Sequence, residues 1–337
     1  SIWDFTNVKG SPGNILLQES EIFYKNKFFP DSQLNYAENL LKKNDTKPAI
    51  IFKSENGYKT ILSWKDLNLN VAQVSDWMKY IGINKGDRIA AYMPNIPESV
   101  IAYLSTSVIG AIWSSCSPDF GVKGILDRFK QIKPKILVTV NGYYFKGKIF
   151  NICNKVTAIL KQISSIENTV MIDYLEERKI DKKYLDWKDL LSNQKDEIIF
   201  TQLPFNHPLY IMYSSGTTGK PKSIVHSSGG TLIQHLKELK YHVNLNKNDK
   251  IFYYTTCGWM MWNWLVSSLS FGATVVLYDG NPFYPKTDSL LKIMDKIDVN
   301  IFGTSAKYIS HLNSQKIIPK KFSKLTHMRL ILSTGSP

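Results

Sequence analysis

The 337-residue chain is 43% hydrophobic and 21% charged, which is too apolar for a disordered polypeptide and enough to bury one large elaborated domain or two smaller ones. Its net charge of +14 comes with only four arginines, Arg88, Arg128, Arg178 and Arg329, and with scattered lysines. That argues against base-reading contacts with nucleic acid and leaves solubility and the steering of anionic ligands.

The chain opens at Ser1 without an initiator Met and without a basic segment leading into an apolar run, so no signal peptide is expected and both ends read as cut. Short apolar runs then alternate with longer amphipathic segments, the pattern of an α/β protein with mostly parallel sheets. A helix is expected over 64–80, with Leu67, Val71, Val74 and Met78 near one face. A strand over 88–93 leads to a helix over 97–109 that opens with Pro97 and Glu98 in its first turn. A helix over 122–132 and strands over 135–140 and 169–172 follow. The lysine-rich stretch 175–195 is the most polar part of the chain and reads as an exposed loop. Beyond it come strands over 209–213 and 223–226 and a helix over 230–241. Residues 251–278 carry no charge and exceed the ~20 residues that a membrane span needs. Gly258, Asn263, Ser267, Ser268, Ser270 and Gly272 interrupt that run, so strand, helix and strand are expected instead. Strands over 299–302 and 328–332 complete the pattern, and no internal repeat or low-complexity linker is present.

Cys116, Cys153 and Cys257 are odd in number, far apart and free of C-x-x-C spacing, which fits neither a disulfide framework nor a zinc site and suits a reducing cytosol.

The most informative segment is the run from Tyr213 to Ser223, Tyr-Ser-Ser-Gly-Thr-Thr-Gly-Lys-Pro-Lys-Ser, held between two apolar strands. Nothing in it can pack a core. Two glycines allow positive φ and close backbone approach, while several hydroxyls and free N–H groups face one concavity, the makings of an anion nest. Lys222 adds a flexible point charge. A Walker loop is excluded, since two residues instead of four separate Gly216 from Gly219 and Pro221 follows. A solvated hairpin rich in Ser, Thr and Gly would have the same composition.

Those eleven residues resemble, nearly letter for letter, the signature phosphate loop of the adenylate-forming acyl-CoA synthetase superfamily. The resemblance implies a large amino-terminal domain of layered α/β sheets with flanking helices and without the carboxy-terminal domain, with 1–40 as a leader and 41–337 as a truncated AMP-binding domain. It implies ATP, Mg²⁺ and coenzyme A as cofactors, small-molecule substrates, no nucleic-acid or membrane partner, and a cytoplasmic enzyme. In such a family ATP and a carboxylate give an acyl-adenylate and pyrophosphate, and the thiol of CoA then displaces AMP. Carried over, Ser214, Ser215, Gly216, Thr217, Thr218 and Gly219 line the pyrophosphate, with Thr218 and Lys222 as the catalytic candidates; no metal ligand can be named. The segment from Thr255 to Trp264 is similar to the family's aromatic turn beside the acyl pocket, which points to Gly258, Trp259, Met260, Met261 and Trp262 as pocket residues. Three tryptophans within six residues leave little volume, favouring a small acyl group, and the Gly-Trp-Met-Met-Trp-Asn order resembles the branch acting on acetoacetate. Buried helix packing would suit the same aromatics equally. Further stretches resemble that branch: 92–95, 109–115, 117–121 and 278–282. Lys148 is a weaker candidate for a CoA phosphate. The final Gly335, Ser336 and Pro337 match the start of the adenine-binding motif. The downstream Mg²⁺, ribose and adenylation-lysine motifs have no counterpart, so the chain alone is expected not to turn over. Other short acids within the family, and a non-catalytic nucleotide- or nucleic-acid-binding module, are the competing readings.

Overall fold

A computed structural model of the chain describes residues 2–176, 180–192, 195–214 and 219–334. Two sheets dominate it. Their strands, in chain order, are β1 (Pro48–Ser54), β2 (Lys59–Ser63), β3 (Arg88–Tyr92), β4 (Ile112–Cys116), β5 (Ile136–Val140), β6 (Asn168–Ile172), β7 (Leu185–Asp186), β8 (Pro208–Ser214), β9 (Lys222–Ser227), β10 (Lys250–Tyr253), β11 (Thr274–Asp279), β12 (Ile301–Ser305) and β13 (Leu330–Thr334). The first sheet runs β7-β6-β5-β3-β4-β8-β9 and the second β13-β12-β10-β11-β1-β2. Each is parallel except at one edge, where β8/β9 and β1/β2 are antiparallel hairpins. The expected α/β architecture with mostly parallel sheets is what the chain adopts.

Helices α1 (Trp64–Tyr80) and α2 (Pro97–Val108) fill the space between the sheets: α1 packs on β1, β2 and α2, and α2 packs on β4. A capping box starts α1, with the Ser63 hydroxyl accepting from the Asp66 N–H at 3.0 Å and the Asp66 carboxylate accepting from the Ser63 N–H at 3.1 Å. Every residue of α2 except Glu98 is buried, which is why its sequence lacks a polar face. Its hydroxyls turn inward instead, Ser99 donating to the Ile96 carbonyl and Thr106 to the Ala102 carbonyl. Helix α3 (Val122–Ile132) ends at Lys133 in the left-handed region. Helix α4 (Ser228–Lys237) is capped by Ser227 and runs into one π-helical turn, Glu238–His242; α5 (Met260–Ser267) follows β10. The uncharged stretch 251–278 is thus strand, helix and strand, and no helix among the described residues is long and apolar enough to cross a membrane.

The structure corrects the expectation of a plain exposed loop over 175–195. Its described part contains β7 and a short helix, Trp187–Leu190, anchored by buried Trp187 and Leu190. The apolar anchors there are too few to outweigh the lysines in composition, but two of them suffice to dock the segment beside β6.

Where α4 meets α5, Ser267 donates to the Asn263 carbonyl at 3.0 Å, so its oxygen accepts from Tyr36 and from His235 Nδ1 at 2.7 Å. Burial pushes the His235 imidazole down to about 3. Its folded value lies below its unfolded one, so the stability it contributes is complete above about pH 6.5 and is lost as pH falls toward 3. Chemical unfolding of the chain at pH 6.5 and at pH 4.5 is expected to show this loss, and a His235→Gln variant to show a shallower slope.

Candidate active site

The antiparallel pairing of β8 with β9 places Tyr213 opposite Ser223 and Ser214 opposite Lys222, so the two flanks of the glycine- and hydroxyl-rich segment lie side by side at one edge of the first sheet. Of the phosphate-loop candidates, Ser214, Gly219 and Lys222 are described, whereas Ser215, Gly216, Thr217 and Thr218 lie outside the described residues, as do Gly335, Ser336 and Pro337 beyond β13. Gly219 has φ +128°, and among the described residues a Cβ there would meet nothing within 4 Å. That backbone conformation calls for glycine. Lys222 is exposed. The far flank of the hairpin is held by Gln131 of α3, which donates from Nε2 to the Pro221 carbonyl at 2.8 Å and accepts from Ser223 Oγ at 3.1 Å.

A cavity of ≈ 260 Å³ opens beside this flank, at the carboxyl ends of β4 and β8, where open α/β sheets bind ligands. Ser115, Met212, Tyr213, Ser214, Ile224 and Gly258 line it, together with Arg128, His226, Trp259 and Met260. Its third wall is the turn after β10, a strand of the other sheet, and hydrogen bonds tie that turn across. Ser115 Oγ donates to the Cys257 carbonyl at 2.6 Å, Cys257 Sγ donates to the Met93 carbonyl at 3.0 Å, and Asn95 Nδ2 donates to the Thr255 carbonyl at 3.3 Å. The two sheets thus meet at the cavity, which fixes its width.

Of the pocket residues named from the sequence, Gly258, Trp259 and Met260 reach this cavity. Trp259 is 65% exposed, at the mouth. Met261 and Trp262 are not among its lining residues. Trp262 is fully buried in the main core and donates from Nε1 to Asn95 Oδ1 at 2.8 Å. Lys148 lies on an exposed hairpin, Gly142–Phe145 paired with Lys148–Asn151.

Arg128 is the feature that sequence reasoning passed over. It reaches the cavity from α3, with its guanidinium 4.6 Å from the Phe120 ring centre, 5.7 Å from that of Tyr213, and donating to the Gly124 carbonyl at 2.7 Å. Two aromatic faces and one carbonyl hold a cation with donors to spare. Its signal in the sequence was faint: one of four arginines, at helical spacing from Gly124. Burial pushes the thiol of Cys116, on the cavity wall, up to about 12, so it stays protonated and is no nucleophile. Burial also holds the His226 imidazole below its ordinary value, hence neutral, where it stacks on Tyr210 at 4.7 Å.

Thr256 Oγ1 is buried without a hydrogen-bond partner among the described residues. Thr256 also lines a second cavity of ≈ 180 Å³ with Asp119, Tyr143, Phe145, Tyr278 and Asp279. Burial pushes the Asp279 carboxyl up to about 7 although the Tyr174 hydroxyl donates to it at 2.9 Å. A larger cavity of ≈ 530 Å³, lined by Phe52, Glu98, Tyr174 and Trp187, shares no residue with the phosphate-loop flanks. Size alone does not mark the site; convergence of Ser214, Arg128 and Gly258 does. Among the described residues no group of three or more His, Cys, Asp or Glu is placed to hold a metal ion.

Comparison with known proteins agrees with this layout. Residues 37–337 match the family model described as AMP-binding enzyme. The acetoacetyl-coenzyme A synthetase of Rhizobium meliloti (strain 1021) is 43% identical over 342 residues, which span 100% of this chain and 52% of that protein. The acetoacetyl-CoA synthetase of Gallus gallus is 44% identical over 321 residues, 92% of this chain and 48% of that one. The malonamoyl-CoA synthetase vrtB of Penicillium aethiopicum is 35% identical over 367 residues, 99% of this chain and 51% of that one. Among solved structures, the acetoacetyl-CoA synthetase from Streptomyces lividans superposes with a TM-score of 0.95 at 37% identity, covering 100% of this chain and 52% of that chain. The chain spans about half the length of the curated relatives it matches. With its double-sheet frame and a family match running from residue 37 to residue 337, the chain belongs to the AMP-binding enzyme family.

Proposed function

We propose that the protein carrying this chain joins acetoacetate to coenzyme A at the expense of ATP, through an acyl-adenylate, releasing AMP and pyrophosphate. The carrying observation is the ≈ 260 Å³ cavity with Arg128 inside it, bounded by Ser214 of the phosphate-loop flank and by the Gly258–Met260 turn. Arg128 draws in the carboxylate, and its fixed fork orients one carboxylate oxygen. Met212, Ile224 and Met260 give the short acyl chain an apolar bed. Two relatives are named for acetoacetyl and malonamoyl groups, acids that share a carboxylate and a carbonyl two carbons away. Neutral His226 on the cavity wall is suited to donate a hydrogen bond to that carbonyl.

No general base is needed, because a carboxylate is already a nucleophile and attack on the α-phosphate needs alignment and charge dispersal. Ser214, Gly219 and Lys222, with Ser215, Gly216, Thr217 and Thr218 outside the described residues, form our candidate cradle for the ATP phosphates, and Thr218 and Lys222 remain the catalytic candidates. The open, positive-φ backbone at Gly219 fits such a group. Mg²⁺ supplies charge neutralisation on the phosphates when bound; no residue is assigned to it. Residues 1–40 serve as a leader to the AMP-binding unit at 41–337, with Gly335, Ser336 and Pro337 toward the adenine, and the protein works in the cytosol on small molecules.

Assays of the natural protein carrying this sequence, with acetoacetate, acetate, propionate and hydroxybutyrate, test the acyl assignment; a clear preference for acetate overturns it. In the same assay Arg128→Ala is expected to raise the KM for the acid about 10- to 100-fold, the worth of a hydrogen bond to a charged group, while the KM for ATP stays put. Arg128→Lys is expected to recover only part of the loss, since an ammonium cannot be held between two rings in the same way.

A further inference from the structure

The ≈ 530 Å³ cavity lies where the β1/β2 edge of one sheet comes near the β6/β7 edge of the other, and its volume is that of a small-molecule site. Aromatic rings line it. Phe52 of β1 has Tyr58 and Tyr174 as neighbours, with ring centres 6.1 Å and 6.4 Å away and tilts of 57° and 54°. The Tyr174 hydroxyl donates to Asp279 at 2.9 Å, which fixes the orientation of that ring. Buried Trp187, on the short helix that docks beside β6, supplies a fourth.

The charged groups set among these rings are mostly acidic. Glu98, Asp173, Glu176 and Asp186 line the cavity, against a single ammonium, that of exposed Lys188. The chain as a whole has the opposite sign, with a net charge of +14. Two of the carboxylates are engaged locally, Asp173 accepting from Asn141 Nδ2 and Asp186 from the Lys188 N–H at 2.9 Å. Glu98, in the first turn of α2, forms no ion pair among the described residues. Burial holds its carboxyl above the ordinary range, and its own N–H offsets that only in part. A cation beside Glu98 would replace the solvation that its carboxylate has lost. Acids, nucleotides and coenzyme A are anions and would be repelled here, so the cavity suits none of the reactants named above. A hard metal ion needs six or more oxygen ligands, and no acidic group of the required kind is assembled among the described residues.

We propose that the ≈ 530 Å³ cavity binds an organic cation, an amine or guanidinium on an apolar stem, with Glu98 meeting the charge and the Phe52, Tyr58 and Tyr174 rings meeting the stem. The site is separate from the ligase chemistry and does not depend on it.

Calorimetry on the natural protein carrying this sequence tests the site with 2-phenylethylamine, charged at neutral pH, and its neutral counterpart 2-phenylethanol. The amine is expected to bind, and the alcohol to bind at least about tenfold more weakly. Glu98→Gln is expected to weaken amine binding about tenfold and to leave the alcohol unaffected. Tyr58→Ala is expected to weaken amine binding about threefold, the worth of one exposed cation–π contact. Arg128→Ala, in the acyl-side cavity, is expected to leave it unaltered. Equal binding of amine and alcohol overturns the proposal, as does a Glu98→Gln variant that holds the amine as tightly as the unsubstituted protein. No amine binding at millimolar concentration, or its loss in Arg128→Ala, has the same consequence. Calcium ions displacing the amine at matched concentration would assign the carboxylates to a metal and also overturn it. Tyr58 is 45% exposed and Glu98→Gln keeps the side chain's shape, so both variants are expected to fold, with an unchanged melting temperature as the check. Should Glu98→Gln fail that check, Tyr58→Ala decides.

Discussion

Replacing Lys222 with Ala in the natural protein carrying this sequence is expected to slow carboxylate-dependent exchange of pyrophosphate into ATP by about 10²-fold or more, the scale for removing one preorganised charge donor. Lys222 is the first residue of β9 and stands opposite Ser214, so its Cα is fixed by the ladder while its exposed four-carbon stem extends from the strand. As an exposed residue on an edge strand it contributes little to packing, and the unfolding free energy is expected to change by less than about 0.5 kcal/mol. That separation makes the test sharp: a slow, well-folded variant supports a role in the chemistry, and an unaltered exchange rate removes Lys222 from it. Lys222→Arg is expected to restore part of the rate, because the charge returns with a different shape.

How far the sequence alone reaches is shown by the elements around that loop. Strands with strong apolar runs, such as β5 (Ile-Leu-Val-Thr-Val), and helices with explicit start signals, such as α2 with Pro97 and Glu98, are legible locally. Strand β4 is not, since Ile-Trp-Ser-Ser-Cys mixes hydroxyls into a buried strand. Those hydroxyls are satisfied at long range, Ser114 donating to the Ile211 carbonyl at 2.9 Å and Ser115 to Cys257 at 2.6 Å, which a window along the chain does not contain. Arg128 and Gln131 escaped notice for the same reason. They lie on one face of α3 at i and i+3, a spacing shared with countless solvated helices, and only the fold brings β8 and β9 against them.

The sequence of the 259–264 run does not divide its tryptophans between cavity and core. The division follows from where α5 begins. Trp259 is its N-cap, with extended φ −105° and ψ 152°, so its side chain leaves the chain before the helix constrains it and emerges 65% exposed at the cavity. Trp262 is the third helical residue and turns inward to stack obliquely on Tyr103, with ring centres 5.5 Å apart.

That placement makes Trp262→Ala the largest expected stability loss at this site. Truncating a buried aromatic costs about 3–5 kcal/mol through lost contacts and the cavity left behind. The Asn95 Oδ1 acceptor is orphaned as well, which adds about 1–3 kcal/mol unless water enters. Denaturant unfolding of the chain is expected to show a fall of at least about 3 kcal/mol, and a loss below about 1 kcal/mol would contradict the packing described. Trp262→Phe separates the two contributions, because it keeps most of the ring and discards the N–H; its cost is expected near that of the hydrogen bond alone. Asn95 also donates to the Thr255 carbonyl, so the bond to Trp262 helps hold the turn that forms the third wall of the ≈ 260 Å³ cavity. The phenylalanine variant is therefore expected to raise the KM for the acid more than the KM for ATP, although residue 262 does not line that cavity.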